Sequence, residues 1–268
     1  MDELSPLADL EPVGEGFEFD AADRLCVGVP ARRFLHGGVA FAACVEALER
    51  ATGLPAVQAS AQFLSFGKPG DRIRLEPELA AEGRTVRQAR IGASIGGRPF
   101  VIAHGASGWR ESDAAYRPAL PDVASWEDSE PRSVVHLLST RIEKLFEFRL
   151  AAGEVPDSSA WKGSGGKSIA FWIRPRGGQP VGRLMLAMIA DLAPVALHGA
   201  LGRLASGTSL DNAIRYVGRG DTGTVLCAVT VEAVGGGFTH LTTRQFAPDG
   251  RLLAVATQSQ ILRLWDKL

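Results

Sequence analysis

Much of the chemistry that usually shows itself in a sequence is missing from these 268 residues. Cysteine is scarce. Cys26, Cys44 and Cys227 are odd in number and lack metal-type spacing, so they read as reduced thiols in a cytosolic protein rather than as a disulfide framework. Charge of one sign is not in excess: 29 basic and 30 acidic residues leave a formal net charge of −1. That balance argues against a nucleic acid or an anionic membrane held by bulk charge. No cluster of His, Cys and carboxylates has metal-ligand spacing, and no dinucleotide fingerprint occurs. The start, Met1-Asp2-Glu3-Leu4-Ser5-Pro6, is acidic and without an apolar signal segment, which gives a cytoplasmic expectation.

What is present is apolar. Hydrophobic residues make up 46% of the chain, enough for a sizeable core and too many for disorder. Two runs stand out. Phe34 to Leu48 opens on His36-Gly37-Gly38 and carries a single charge, Glu46, after Val39. A helix apolar nearly all round is a buried helix. Gly53-Leu54-Pro55 ends it, since Gly suits the position past a helix end and Pro cannot continue one. The second run, Leu184 to Leu201, reads as another long core helix with one carboxylate, Asp191, in its middle. It has membrane length, but a central Asp alone costs roughly 2.5–3.5 kcal/mol on insertion scales, and Pro194 and His198 lie there too.

Strand patterns surround both runs. Gly16 to Val29 has strand-like pieces, and Ala56–Phe66, Arg72–Leu79, Thr85–Ile95 and Pro99–Trp109 follow the first run. Residues 111–133 are rich in Pro and acidic side chains and read as a connection between two folded halves. Arg141–Leu150 and Ile169–Ile173 are strands ahead of the second run, and Leu210–Val217, Val225–Val234, Phe238–Phe246 and Leu252–Trp265 follow it. Gly163-Ser164-Gly165-Gly166 is a loop rather than a phosphate cradle, because no P-loop is completed after it. A G-x-S-x-G match at Gly92 to Gly96 leads into another strand, whereas a serine nucleophile needs a strand-to-helix turn. An offset of 153 aligns Gly70 with Gly223, Gly83 with Gly236, Gly97 with Gly250 and Arg98 with Arg251. Turn glycines are set by backbone need, so this constancy implies a duplicated unit. The expected division is 1–110, a connection over 111–135, and 136–268.

A helix followed by an antiparallel sheet, occurring twice with His-Gly-Gly at the first helix start, resembles the hotdog fold. The arrangement is similar to the double-hotdog acyl-CoA thioesterases of the bacterial type II family. Gln62-Phe63-Leu64, Pro69-Gly70-Asp71, Asp191-Leu192, Leu210-Asp211-Asn212-Ala213 and Pro248 to Ala254 with Gln258 carry the likeness. It implies an α+β tandem hotdog, two antiparallel sheets each wrapped around a long central helix, and a homo-oligomer, a dimer or larger. It also implies hydrolysis of acyl-CoA to free acid and CoA, with CoA as the leaving part of the substrate and no separate cofactor. The family's water-orienting Asp, Thr and Gln fall on Asp191, Ser209 and Gln258; the hydroxyl departs from Thr to Ser, and Thr208 serves with a one-residue shift.

The residues support this independently. A buried carboxylate needs hydrogen-bond partners, whether for catalysis or in a pair with Arg183 or Arg203. Thioester hydrolysis needs a held water and a base. Asp191 supplies the base, and Ser209 and Gln258 the orienting groups; otherwise Ser209 is a strand-start serine and Gln258 a solvent-facing residue in phase with Gln260. At the offset of 153 their counterparts are Gly38, Ala56 and Gly105, which have no reactive side chains, so one active site per chain is expected. Helix-start amides at Gly37 and Gly38 suit the thioester oxygen, with His36 a cap or a substrate contact. His198 and His240 read as structural or surface residues. Two rivals remain: a non-catalytic acyl-CoA-binding protein, and an enoyl-CoA hydratase, whose chemistry pairs Asp with a His that does not follow Asp191 closely here.

Overall fold

The computed structural model describes residues 9–29, 31–132, 142–155, 166–218 and 221–264. Expectations for Gly163 to Gly165, Gly220, Trp265, Arg141 and the end of the connection at 133–135 lie outside those residues.

Helix α1 (Gly37–Thr52) forms as its pattern requires. Every residue from Gly38 to Leu48 except Glu46 is buried. It ends at Gly53, whose φ of 66° places it in the left-handed region and whose N–H caps Glu49 O. The second run is not the single long helix expected. Helix α2 (Arg183–Ala190) stops at Asp191, a 3-10 turn covers Ala193–Val195, and α3 (Ala196–Leu201) completes the run. Pro194 explains the break. It has no N–H, and its ring collides with the carbonyl four residues back, at Ala190. Asp191 therefore stands at a helix end, where its N–H still bonds back to Met188 O but its side chain is free to serve another element.

The long strands of both halves join in one continuous sheet, and Cys26–Val27 pairs with Phe34–Leu35 in a separate two-stranded one. β1 is Gly16–Asp20, β2 Ala56–Phe63, β3 Arg72–Glu82, β4 Val86–Ile95 and β5 Arg98–Gly108. β6 is Phe146–Ala152, β7 Ser168–Pro175, β8 Ala205–Ser209, β9 Asp211–Tyr216, β10 Val225–Gly235, β11 Phe238–Phe246 and β12 Leu252–Leu264. A 14-stranded sheet runs in the order β1, β3, β4, β5, β2, β9, β12, β11, β10, β7, β6, with Glu11–Val13 and Glu130–Pro131 as edge strands and β8 beside β12. The joint is the antiparallel pairing of β2 with β9, in which Ser60 faces Ala213. These residues are 153 apart, as are the starts of β3 and β10.

Two local readings change and one holds. The strand expected over Arg141–Leu150 begins at Phe146, after a 3-10 turn at Ile142–Leu145. The strand expected over Leu210–Val217 forms as β9, but an unexpected strand, β8, precedes it and is separated from it at Leu210. Ser94 sits within β4 opposite Arg74, and the chain turns straight into β5, so no nucleophile elbow forms.

The main core lies between the sheet and the helices. A second cluster, with Trp126, Trp172, Leu226, Phe246 and Leu252, covers the other sheet face in the second half. There the connecting segment packs down: Trp172 Nε1 donates to Ala124 O at 2.8 Å, and the Arg174 guanidinium lies 3.8 Å from the Trp126 ring centroid. The halves are also tied across the helix layer. Arg183 Nε donates to Glu49 Oε1 at 2.6 Å, and the same oxygen accepts from the Ala56 N–H at 2.8 Å. Glu49→Ala loses both bonds, at a cost of about 1–3 kcal/mol. Thermal unfolding should show a drop in Tm, with Arg183→Ala adding little in the double variant; additive losses would mean the two side chains are not coupled.

Candidate active site

Asp191 is 7% exposed and sits where the end of α2 meets the start of α1. The approach is close enough to require glycine. A Cβ on Gly38 would lie 2.3 Å from Met188 O and 2.9 Å from the Asp191 Cβ. Without it, the Gly38 N–H donates to Asp191 Oδ2 at 2.8 Å. His36 occupies the cap position of α1 but makes no side-chain cap bond. Asp191 does that work from the other half of the chain, where the positive end of the helix dipole favours a carboxylate.

The other oxygen faces the sheet. Ser209 Oγ–H donates to Asp191 Oδ1 at 3.1 Å, and Gln258 Nε2–H donates to the same atom. Gln258 Nε2 also donates to Ser209 Oγ at 2.9 Å, closing a triangle. Strand geometry positions both groups. On β12 the residues Ala254, Ala256, Gln258 and Gln260 are all buried on the helix side, as period 2 dictates. Ser209 is the last residue of β8, paired with Gln260. After it the chain jogs: the Ser259 N–H goes to Asp211 Oδ1 at 2.6 Å, and β9 then resumes pairing with β12. The jog turns Ser209 toward Asp191. Thr208 instead accepts from Arg263 Nε at 2.9 Å on an exposed face, so of the two hydroxyls it is Ser209 that meets Asp191.

The structure thus brings together Asp191, Ser209, Gln258, His36, Gly37 and Gly38. Arg183 is committed to Glu49 rather than to Asp191. The Gly38 N–H is engaged by the carboxylate, which leaves Gly37 as the helix-start amide not held by Asp191. One reading is corrected: a histidine does stand beside Asp191. His36 Nε2 is 3.5 Å from Oδ2, brought from the first half and so invisible to a search downstream of Asp191. Burial pushes the His36 pKa below its ordinary value, against the pull of the Asp191 charge, so the ring is neutral near pH 7. His198 is structural as expected. Its Nδ1 accepts from the Ala205 N–H at 3.2 Å, and burial lowers its pKa to about 4.

Three buried amides escaped the sequence reading, one of them Gln245, whose Nε2 donates to Leu186 O at 2.9 Å. Gln260 Nε2 donates to Gln258 Oε1 at 2.7 Å, with Gln260 0% exposed. Asn212 is also 0% exposed, on the face of β9 turned to the helices, and neither of its side-chain polar atoms has a partner among the described residues. Alternation along Leu210 to Ile214 was the signal for an inward Asn212. A cavity of about 280 Å³ lined by Gly153, Glu154, Gly166 and Ala196 shares no residue with this cluster. Among the described residues no group of three His, Cys or carboxylate side chains is placed to hold a metal.

A family model described as the acyl-CoA thioesterase C-terminal domain matches residues 116–262, and one described as the N-terminal domain matches residues 28–108. No curated protein sequence matches the chain. Among solved structures, a candidate thioesterase from Novosphingobium aromaticivorans is 30% identical with a TM-score of 0.85, over 96% of this chain and 99% of that one. A tesB protein from Mycobacterium avium subsp. paratuberculosis is 20% identical, TM-score 0.74, over 97% of both chains. A hotdog-fold protein of unknown function from Alicyclobacillus acidocaldarius is 15% identical, TM-score 0.80, over 97% and 96%. The chain has the hotdog fold.

Two outcomes follow from the geometry. Gly38→Ala forces α1 and α2 apart, an overpacking cost of about 1–3 kcal/mol; an unchanged Tm would show that the helices part freely. The histidines set an acid limit. Unfolded His titrates near 6.5, while folded His36 and His198 resist protonation. Below about pH 6.5 the unfolded chain therefore binds protons that the folded one does not, and stability falls toward about pH 4. Tm measured between pH 7 and pH 5 should fall, and less steeply in His198→Gln.

Proposed function

The chain belongs to the acyl-CoA thioesterase family, and from that premise we propose that it hydrolyses acyl-CoA to free acid and CoA with Asp191 as the base. The observation that carries this reading is the occupancy of the carboxylate. Oδ1 accepts two donors, from Ser209 and Gln258, whereas Oδ2 accepts one, from Gly38. A carboxylate oxygen has two acceptor sites, so Oδ2 keeps a lone pair for a proton. Ser209 and Gln258 fix the carboxylate in one orientation, and the Ser209 oxygen keeps a lone pair for a water beside it. That water gives its proton to Oδ2 and attacks the thioester carbon, with the Gly37 N–H facing the developing oxyanion. The tetrahedral intermediate collapses with loss of the CoA thiolate, which takes the proton from Asp191.

We also propose the tandem form of the fold: hotdog units over 1–110 and 136–268, joined through 111–135. Its support is the pairing at the joint. Ser60 faces Ala213, and Ala61 with Asn212 and Ala59 with Ile214 fall symmetrically about it, as residues do across a two-fold axis. Gly38 and Asp191, also 153 apart, touch in the same way.

A second reading has one observation behind it. The 3.5 Å approach of His36 to Asp191 is an acid–base pair of the kind that hydrates an enoyl-CoA. One set of assays separates the readings: thiol release from short, medium, long and aromatic acyl-CoAs, and hydration of crotonyl-CoA, each with Asp191→Asn and His36→Ala. Hydrolysis that falls roughly 10²-fold or more in Asp191→Asn, in a folded variant, is the expected result. Equal turnover in both proteins removes Asp191 from the mechanism. Crotonyl-CoA hydration lost in both variants selects the second reading, and tight binding without turnover selects a binding protein.

A further inference from the structure

An amide side chain has two faces of nearly equal size and opposite polarity. Turned by 180°, Gln258 would present its carbonyl oxygen to Asp191 Oδ1, and the triangle would become a repulsion between two acceptors. A second contact opposes this turn from behind Gln258. Gln260 Nε2–H donates to Gln258 Oε1 at 2.7 Å. The two residues are neighbours on the same face of β12, and both are buried, at 4% and 0% exposure. Side chains two apart on a strand stand roughly 6.6–6.8 Å from one another at the backbone, so they meet only if a long side chain is laid along the strand.

Space for that is cleared by β8. A Cβ on Gly207 would fall 1.7 Å from Gln260 Oε1 and 2.5 Å from its Cδ. Any other residue there would push the Gln260 amide out of its place. Thr239 faces Gln260 from β11 and is fully buried too, so the amide is enclosed on both flanks.

We propose that Gln260 is a positioning residue, which locks the Gln258 amide with its NH2 toward Asp191 and Ser209, and that Gly207 is the gap that admits it. The proposal rests on the reading of Asp191 as the base, and deepens it by one residue. With Gln260 in place, every hydrogen-bonding group of Gln258 is committed: one N–H to Asp191, one to Ser209, and the oxygen to Gln260. Gln260 itself does not touch Asp191.

The test is a double-mutant cycle on thioester hydrolysis, with kcat and KM read separately. Gln260→Met keeps the length and removes the donor; it lowers kcat roughly ten- to hundredfold, the value of one hydrogen bond to a charged network, and leaves KM within about threefold. Gln258→Ala lowers kcat at least as much. The double variant is no slower than Gln258→Ala, because Gln260 has nothing left to hold. Wild-type kcat in Gln260→Met, or losses that multiply in the double variant, overturns the proposal. Gly207→Ala serves where Gln260→Met does not fold: it reproduces the kcat loss, and a wild-type kcat there counts against the proposal.

A readout without turnover completes the test. In the intact protein the Gln258 NH2 proton resonances move in Asp191→Asn, and in Gln260→Met they no longer respond to that substitution; resonances that respond equally in both backgrounds overturn the lock. The two readings fail separately. An active Asp191→Asn removes the base and leaves the cycle interpretable, whereas an inactive Asp191→Asn with additive Gln258 and Gln260 losses removes only the lock.

Discussion

The hydrogen bond from the Gly38 N–H to Asp191 Oδ2 joins the start of one helix to the end of another, and the rest of the molecule is arranged to permit it. The glycine pair lets the helices approach, Pro194 ends α2 so that Asp191 can turn outward, and the β2–β9 joint holds the two halves in one sheet beneath them. A carboxylate buried to this extent needs its charge answered. Here the answer comes from backbone, helix dipole, hydroxyl and amides, with no cation paired to it at hydrogen-bond distance among the described residues. Neutral donors on both oxygens hold the group in one orientation.

How much of this could be read in the sequence depends on the distance over which each cause acts. Asp191 was legible because a lone carboxylate in an apolar run needs a reason, and Gly53 because a helix end is a local event. Ser209 was legible only to within one residue. The break at Leu210 sets strand parity there, and it is made by Asp211 bonding to the backbone of β12, a partner 48 residues away. The α2 break was written in Pro194 and overridden by the length of the apolar run. His36 was beyond reach as a partner for Asp191, since nothing local says which elements the joint brings together. Asn212 and Gln260 looked like polar residues on strands, and polarity on a strand is the ordinary sign of a solvent face. That rule failed here on the one face where polar residues gather inside.

The clustering of amides on that face suits its position. Gln258, Gln260 and Asn212 are neutral, so they add no field that would compete with Asp191, yet each has both donor and acceptor. Such groups can hold a carboxylate before a reaction and a carboxylic acid during it. The three cysteines show the contrary case. All are buried, and burial raises their pKa values, to about 11 for Cys26 and about 12 for Cys44 and Cys227, so they serve as packing.

The missing Cβ of Gly38 has a consequence for descent. If the chain arose by fusing two copies of one unit, each copy began with the same capacity, and position 38 once corresponded to position 191. No acid can return there now, since any side chain would run into the carbonyl of Met188 at 2.3 Å. Gly105, the counterpart of Gln258, is closed in the same way by Leu48 and Gln58. The close approach that secures one carboxylate has thus made the loss of the other irreversible by single substitutions: the two halves can drift further apart in sequence, but they can no longer trade roles.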